Sequence, residues 1–246
     1  MKIQNKAYFW AVKLNYLMSL KTALVVTVVC LTTFFTFAQR NYDQYNHLGI
    51  YGGLNLFDIQ TDHFNTEQGN GVTFGFVTRG DVYNNFDLEY GISFTQNNVG
   101  IFGRDLTNPA NNFNAQYINY RLQGAQVKLI GGYNIILHHL SVEFGPILNV
   151  NGKMKLQTPD TYENFILDGY DSVRASDIEN VSRVHFHLAA GITAGLENFR
   201  LNAQYQYGVT NLFNRFNELV ALDEQKPEGG FEGHTSTIVF GAYLYF

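Results

Sequence analysis

The sequence predicts an all-β chain, an eight-stranded antiparallel up-and-down transmembrane β-barrel, and three observations carry that prediction. Eight runs alternate apolar and polar residues with the two-residue period of a strand, the segments between them are alternately short and long, and an apolar leader precedes the first run. Aromatic residues make up 15% of the chain and Pro only 4 positions, a composition that favours strands over helices.

In the leader, Lys21 precedes an apolar run from Ala23 to Phe37 that ends on the small Ala38, with Thr36 two positions earlier. This is the layout of a secretory signal peptide. Residues 1–17 are long for a charged leading region, so Met18 is the start that gives ordinary proportions. The chain therefore divides into a signal peptide, 1–38, and an outer-membrane barrel domain, 39–246. Two rival readings are an uncleaved anchor and a lipid anchor on Cys30, but Cys30 lies inside the apolar run behind Val28 and Val29, the wrong surroundings for lipid attachment. Cleavage after Ala38 removes the single Cys, which excludes a disulfide framework and a thiolate site. It also removes four of 16 basic residues against 21 acidic ones, leaving a formal charge of −9. A chain so acidic, without a basic run, has no electrostatic footprint for nucleic acid.

Past the leader, no segment approaches the roughly 18 apolar residues of a membrane helix. A membrane strand needs only about 9 to 11 residues and hides its apolar face in alternation. From Phe199 to Val209, the residues Phe199, Leu201, Ala203, Tyr205 and Tyr207 oppose Arg200, Asn202, Gln204 and Gln206. The preceding run from Val184 to Leu196 behaves alike, and only Glu197 and Asn198 separate the two, which makes a hairpin. The remaining runs are Leu48 to Phe57, Val72 to Gly80, Phe86 to Gln96, Arg121 to Tyr133, Leu140 to Val150 and Thr235 to Phe246. In the fourth run in chain order, Gly124, Gly131 and Gly132 predict a bulge or a close backbone approach.

The connections at 81–85, 134–138 and 197–198 are short, whereas those at 58–68, 97–116, 151–182 and 211–234 are long. Short turns on one side and long loops on the other place the barrel in the outer membrane with the turns and both termini periplasmic. In the last run Ile238, Phe240, Leu244 and the terminal Phe246 share one face, an arrangement resembling the assembly signal read by the barrel-insertion machinery.

Three segments together resemble the PorT-type outer-membrane β-barrel family: Leu48-Gly49-Ile50-Tyr51-Gly52-Gly53-Leu54-Asn55-Leu56, Glu143-Phe144-Gly145-Pro146, and Ala203-Gln204-Tyr205-Gln206-Tyr207-Gly208-Val209-Thr210-Asn211. The resemblance spans about Asn46 to Phe246, and the chain has Leu122-Gln123-Gly124-Ala125 where many members carry Leu-Glu-Ile-Pro. It implies an eight-stranded barrel without an enzymatic centre, and its namesake is associated with type IX secretion. No functional residue carries over.

On the polar face, Arg79, Asp87, Glu89, Lys128, Glu143 and Arg200 point into the lumen if the aromatic face meets lipid. Counting outward from the short turns predicts ion pairs of Arg79 with Asp87 and of Lys128 with Glu143, because a charge withdrawn from water is costly unless paired. The expected lumen is closed and structural. His185 and His187 share a face, as two ligands of one metal would, without an evident third. The loop from Asn151 to Ser182 is acidic and reads as a solvated, mobile segment, while its Tyr162, Phe165, Ile166 and Tyr170 could meet a partner protein. Ser182, His185 and Asp177 are the residues an outer-membrane enzyme acting on lipid or lipopolysaccharide would use, yet no catalytic fingerprint surrounds them.

The sequence therefore predicts a non-enzymatic barrel with a structural or partner-binding role, accessory to protein secretion if the namesake's association extends to it, and needing no cofactor. Its expected partners are outer-membrane lipid and lipopolysaccharide, the insertion machinery and other envelope proteins. The alternatives are the enzyme just described and a soluble periplasmic barrel that turns its aromatic face inward around an apolar ligand.

Overall fold

The computed structural model describes residues 46–83, 85–105, 115–219 and 226–246. The signal peptide, Met18 and Cys30 lie outside the described residues. Eight long strands run in chain order: β1 (Asn46–Gln60), β2 (Thr66–Tyr83), β3 (Phe86–Arg104), β4 (Ala115–Ile136), β5 (Leu140–Leu156), β7 (Val184–Gly195), β8 (Phe199–Gly208) and β9 (His234–Tyr245), with a two-residue β6 (Ile166–Leu167) between β5 and β7. All pairings are antiparallel. The long strands follow one another around a ring, β5 passes directly to β7, and β1 closes on β9 from Gly49↔Tyr245 to Gln60↔His234. Closure leaves no long edge to aggregate. β2 starts at Thr66, opposite Ile101, so the outermost edge of β3 is open on that side, and β6 covers it through Gly103↔Leu167 and Arg104↔Ile166.

Alternation alone leaves the inside and outside faces interchangeable, and the structure resolves them. Leu54, Phe94, Phe144 and Leu201 are 68%, 62%, 60% and 58% exposed, whereas Arg79, Lys128 and Arg200 are at most 1% exposed. An eight-stranded ring is just wide enough for inward side chains to fill, and here the polar set fills it. The soluble barrel with inward aromatics is therefore not what this chain forms.

Several strands run further than the alternation predicts, furthest at the long-loop end, where β2 begins at Thr66, β3 reaches Arg104 and β4 begins at Ala115. In β3 the outward face changes from Ile92 and Phe94 to Gln96 and Asn98, while the inward face changes from Ser93 and Thr95 to Val99 and Ile101. The polarity inverts and the backbone stays extended. β5 also changes parity: Gly124 faces Asn151 but Leu122 faces Met154, so β5 holds one extra residue there. The bulge beside Gly124 was expected in the fourth run, but its additional residue sits on the partner strand. At the other end of the chain, the last strand stops at Tyr245, one residue short of the predicted Phe246.

Candidate functional site

Inside the ring, side chains form three strata that follow from reading each strand away from the short turns. On β3 they are Asp87 and Glu89, then Ser93, Thr95 and Asn97, then Val99 and Ile101. On β1 they are Tyr51, Asn55, and Phe57 with Ile59.

Arg79 is the hub of the charged stratum. Its Nε donates to Asp87 Oδ2 at 2.8 Å, Nη1 to Glu143 Oε1 at 2.8 Å and Nη2 to Ser141 Oγ at 2.9 Å, while Nη1 stands 3.8 Å from Glu89 Oε2. Tyr243 and Tyr245 donate their hydroxyls to the two oxygens of Glu89 at 3.1 and 3.2 Å, and Asn202 Nδ2 donates to Glu143 Oε2 at 3.3 Å. A buried carboxylate needs such donors to offset its lost hydration. Gly132 leaves the necessary room, since a Cβ there would strike Asp87 Oδ1 and lie 3.0 Å from Arg79 Nη2.

The expected Arg79–Asp87 pair forms, although the residue directly across from Arg79 is Glu89 and Asp87 is reached diagonally. The expected Lys128–Glu143 pair does not. Lys128 faces Ile147, and Glu143 faces Gly132. The turn between the strands consists of Leu137, His138 and His139, with His138 at φ 59°, which shifts the register from the simple count. Lys128 Nζ instead sits 3.8 Å from the centre of the Tyr51 ring, a cation–π contact, and has no hydrogen-bond partner among the described residues. The three Arg200 guanidinium nitrogens likewise have none, although the side chain is fully buried.

Amides form the middle stratum. Asn55 Nδ2 donates to both Thr73 Oγ1 and Asn97 Oδ1 at 2.8 Å, and Gln126 Nε2 on β4 donates to Gln206 Oε1 on β8 at 3.2 Å, across the lumen. Like the Arg79–Glu143 and Tyr243–Glu89 bonds, this one joins strands three places apart around the ring. The side chains thus bridge wall to wall.

The outer stratum is an apolar cap, which sequence reasoning missed. Lumen-facing Phe57, Ile59, Val99, Ile101, Ile118 and Tyr120 pack against loop residues that include Phe64, Phe165, Val173, Ile178, Phe213 and Phe231. Phe64 and Phe231 stack at 5.7 Å, and Tyr120 Oη donates to Ala175 O at 2.9 Å. Asn217 fastens the last loop, accepting from Phe231 N at 2.7 Å and donating to Phe231 O at 3.1 Å. The expectation of a solvated segment between Asn151 and Ser182 is corrected here. Phe165 and Ile166 are buried, and Tyr162 and Tyr170 pack against the same core, so these side chains are engaged within the chain rather than offered to a partner. The signal that could have revealed the cap was the density of Phe, Leu, Ile and Val in loops read as polar.

His185 and His187 are buried. His185 places Nδ1 3.1 Å from Thr210 Oγ1 and Nε2 2.7 Å from Ser182 O, and His187 Nε2 lies 3.1 Å from Thr235 Oγ1. Among the described residues no group of three His, Cys, Asp or Glu side chains is placed to hold a metal ion. Ser182 meets His185 through its backbone carbonyl, and Asp177 accepts from Arg174 N at 2.9 Å, so the three do not form a nucleophile–base–orienter relay.

On the outside, Ile238, Phe240 and Leu244 are exposed along β9 together with the belt residues of every other long strand, and Phe246 is also exposed. A closed ring with apolar side chains outward and charged ones inward is the architecture of an outer-membrane β-barrel. Solved structures with a similar outline include Neisserial surface protein A (9% identity, TM-score 0.44, covering 81% of this chain and 97% of that one) and Ail, the attachment invasion locus protein of Yersinia pestis (15%, 0.42, 82% and 99%). The outer membrane protein OprG from Pseudomonas aeruginosa is another (11%, 0.40, 82% and 97%). No family model matches the chain, and no curated protein matches it. The fold assignment rests on the strand pairings themselves.

Proposed function

We propose that this chain is an integral outer-membrane protein with a closed lumen, its turns and termini periplasmic, and a structural or partner-binding task in the envelope rather than a transport or catalytic one. The observation that carries this reading is the radial inversion of polarity, since a belt of exposed Phe, Leu, Ile and Val is tolerable only where hydrocarbon replaces water. On this reading β9, with Ile238, Phe240, Leu244 and Phe246, supplies the signal to the insertion machinery, and the polar exterior of the folded cap is the surface offered to other envelope proteins. Participation in protein secretion is the specific role suggested by the PorT-type resemblance.

Two measurements test this. Spin labels at Leu88 and Leu201 are expected to be accessible to lipid-soluble oxygen and shielded from aqueous quenchers, and the reverse pattern would overturn the membrane assignment. Deleting the gene and comparing secreted proteins tests the secretion role, which an unchanged profile would remove while leaving the membrane assignment intact.

A further inference from the structure

The mature chain is acidic, yet basic side chains gather at one place on its outer surface. Arg121 on β4 and Lys155 on β5 are direct register partners, both exposed and on the outward face, and Lys153 is exposed in the adjoining bulge. Next to that bulge, the carbonyl of Arg183 accepts from Asn151 N at 2.7 Å, and the Arg183 side chain is exposed as well. None of these four side chains makes a hydrogen bond or an ion pair with a described residue.

Like charges directly opposite each other in a sheet are destabilising, so an unscreened Arg121–Lys155 pair is a defect unless an anion lies over it. Polar side chains flank it: Asn98 is the register partner of Arg121 on β3, Gln157 Nε2 donates to Asn98 Oδ1 at 2.8 Å, and Gln123 Nε2 donates to Gln96 Oε1 at 2.7 Å. The opposite wall has nothing equivalent, since the corresponding outward positions of β1, β2 and β9 hold Asp58, Asn70 and Ser236.

The height of the cluster identifies what it meets. The outward apolar positions of β4 run from Ile135 to Ala125, which at ~3.3 Å per residue and a tilt near 40° cover about 25 Å, the thickness of a barrel's apolar belt. Arg121 lies four residues beyond, about 10 Å above the belt on the same scale, within reach of the headgroup layer for a long side chain. On β5 the bulge turns Lys153 and Lys155 outward while sending Met154 and Leu156 into the cap.

We infer that Arg121, Lys153 and Lys155 form a docking site for the phosphate groups of an anionic lipid in the outer leaflet, with the Arg121 fork and the two ammonium groups converging on one headgroup from adjacent strands. This inference rests on the membrane assignment proposed above. It anchors one wall of the barrel to charged lipid and thereby orients the cap and its loops above the surface.

The test is to fold the wild-type chain into phosphatidylcholine vesicles with and without lipid A and to follow its melting on unboiled gels. Lipid A is expected to raise the wild-type midpoint by several degrees, and inorganic phosphate at matched concentration to leave it unchanged. The combined Arg121→Gln, Lys153→Gln, Lys155→Gln variant is expected to lose the lipid A shift while melting no lower than wild type in phosphatidylcholine alone, because the opposed charges are gone. Lys155→Glu, which gives Arg121 a partner across the strands, is expected to lose the shift too and serves if the triple variant folds poorly. Equal lipid A shifts in wild type and variants would overturn the site, and so would a shift with inorganic phosphate as large as that with lipid A. Failure of the wild type to insert into either vesicle would instead overturn the membrane assignment and the site with it.

Discussion

Arg79 contributes to the barrel in proportion to what surrounds it. Its guanidinium donates to Asp87 and Glu143 from strands that are neither consecutive nor all adjacent, and it also faces Glu89, so one side chain compensates carboxylates from two other strands. Breaking a buried ion pair by removing one partner costs about 3 to 5 kcal/mol, because the remaining charge is left without compensation. Arg79→Met is therefore expected to lower unfolding stability in lipid vesicles by roughly that amount, measured by urea titration. Adding Asp87→Asn and Glu143→Gln to the same chain should restore much of the loss, whereas no recovery would mean that Arg79 acts through packing alone. Sequence spacing exposed the Arg79–Asp87 half of this network because those residues flank a short turn. Glu143 became a partner only through ring closure, which no local count reports, and the Lys128–Glu143 pair fails because the turn centres on residue 138 rather than 136, which shifts every pairing above it.

At the scale of the element, β5 shows how a strand can serve two environments. Below the bulge its odd-numbered residues, such as Glu143 and Asn149, face the lumen, and above it Met154 and Leu156 do. A slip of one residue exchanges the two faces of a strand, and the bulge adds one residue to β5 between inward Asn151 and inward Met154. Deleting Gly152 should therefore make the pairing with β4 regular while Lys153 and Lys155 stay outward and Met154 and Leu156 stay in the apolar cap. The expected result is a barrel that still resists detergent and keeps segment 153–157 protected from protease, and sensitivity of that segment would count against the bulge as a single extra residue between two in-register stretches. The same inversion explains what the sequence revealed about the strands. Residues Phe86 to Phe94 were legible because apolar side chains face outward against a polar interior. Residues Asn97 to Arg104 were not, because there Val99 and Ile101 point inward and the outer face is polar, a pattern that reads as loop when the search is for a lipid-facing stripe. β6 was invisible for a simpler reason, since two residues have no period.

For the whole molecule, the strata make two closures in series, one electrostatic and one apolar. The charged and amide strata join walls three strands apart by hydrogen bonds, while the cap fills the outer mouth with Phe, Ile and Leu side chains from four segments of loop and strand. Each closure fails by a different route, because burial holds the cap and paired charges hold the lower strata. Replacing Asn217 with Ala removes both of its bonds to Phe231, a loss of about 1 to 2 kcal/mol at ~1 kcal/mol for each hydrogen bond, and frees the last loop without touching the lumen. In planar bilayers the wild-type chain is expected to show no stable open channel, and Asn217→Ala none either, since the Arg79 and Gln126 bridges remain. Combining Asn217→Ala with Arg79→Met is expected to produce transient ion flux, as it weakens both closures in one chain. A stable channel of nanosiemens size in the wild type would mean that the wall-to-wall bonds do not persist in the membrane, and the closed-lumen reading would have to be abandoned.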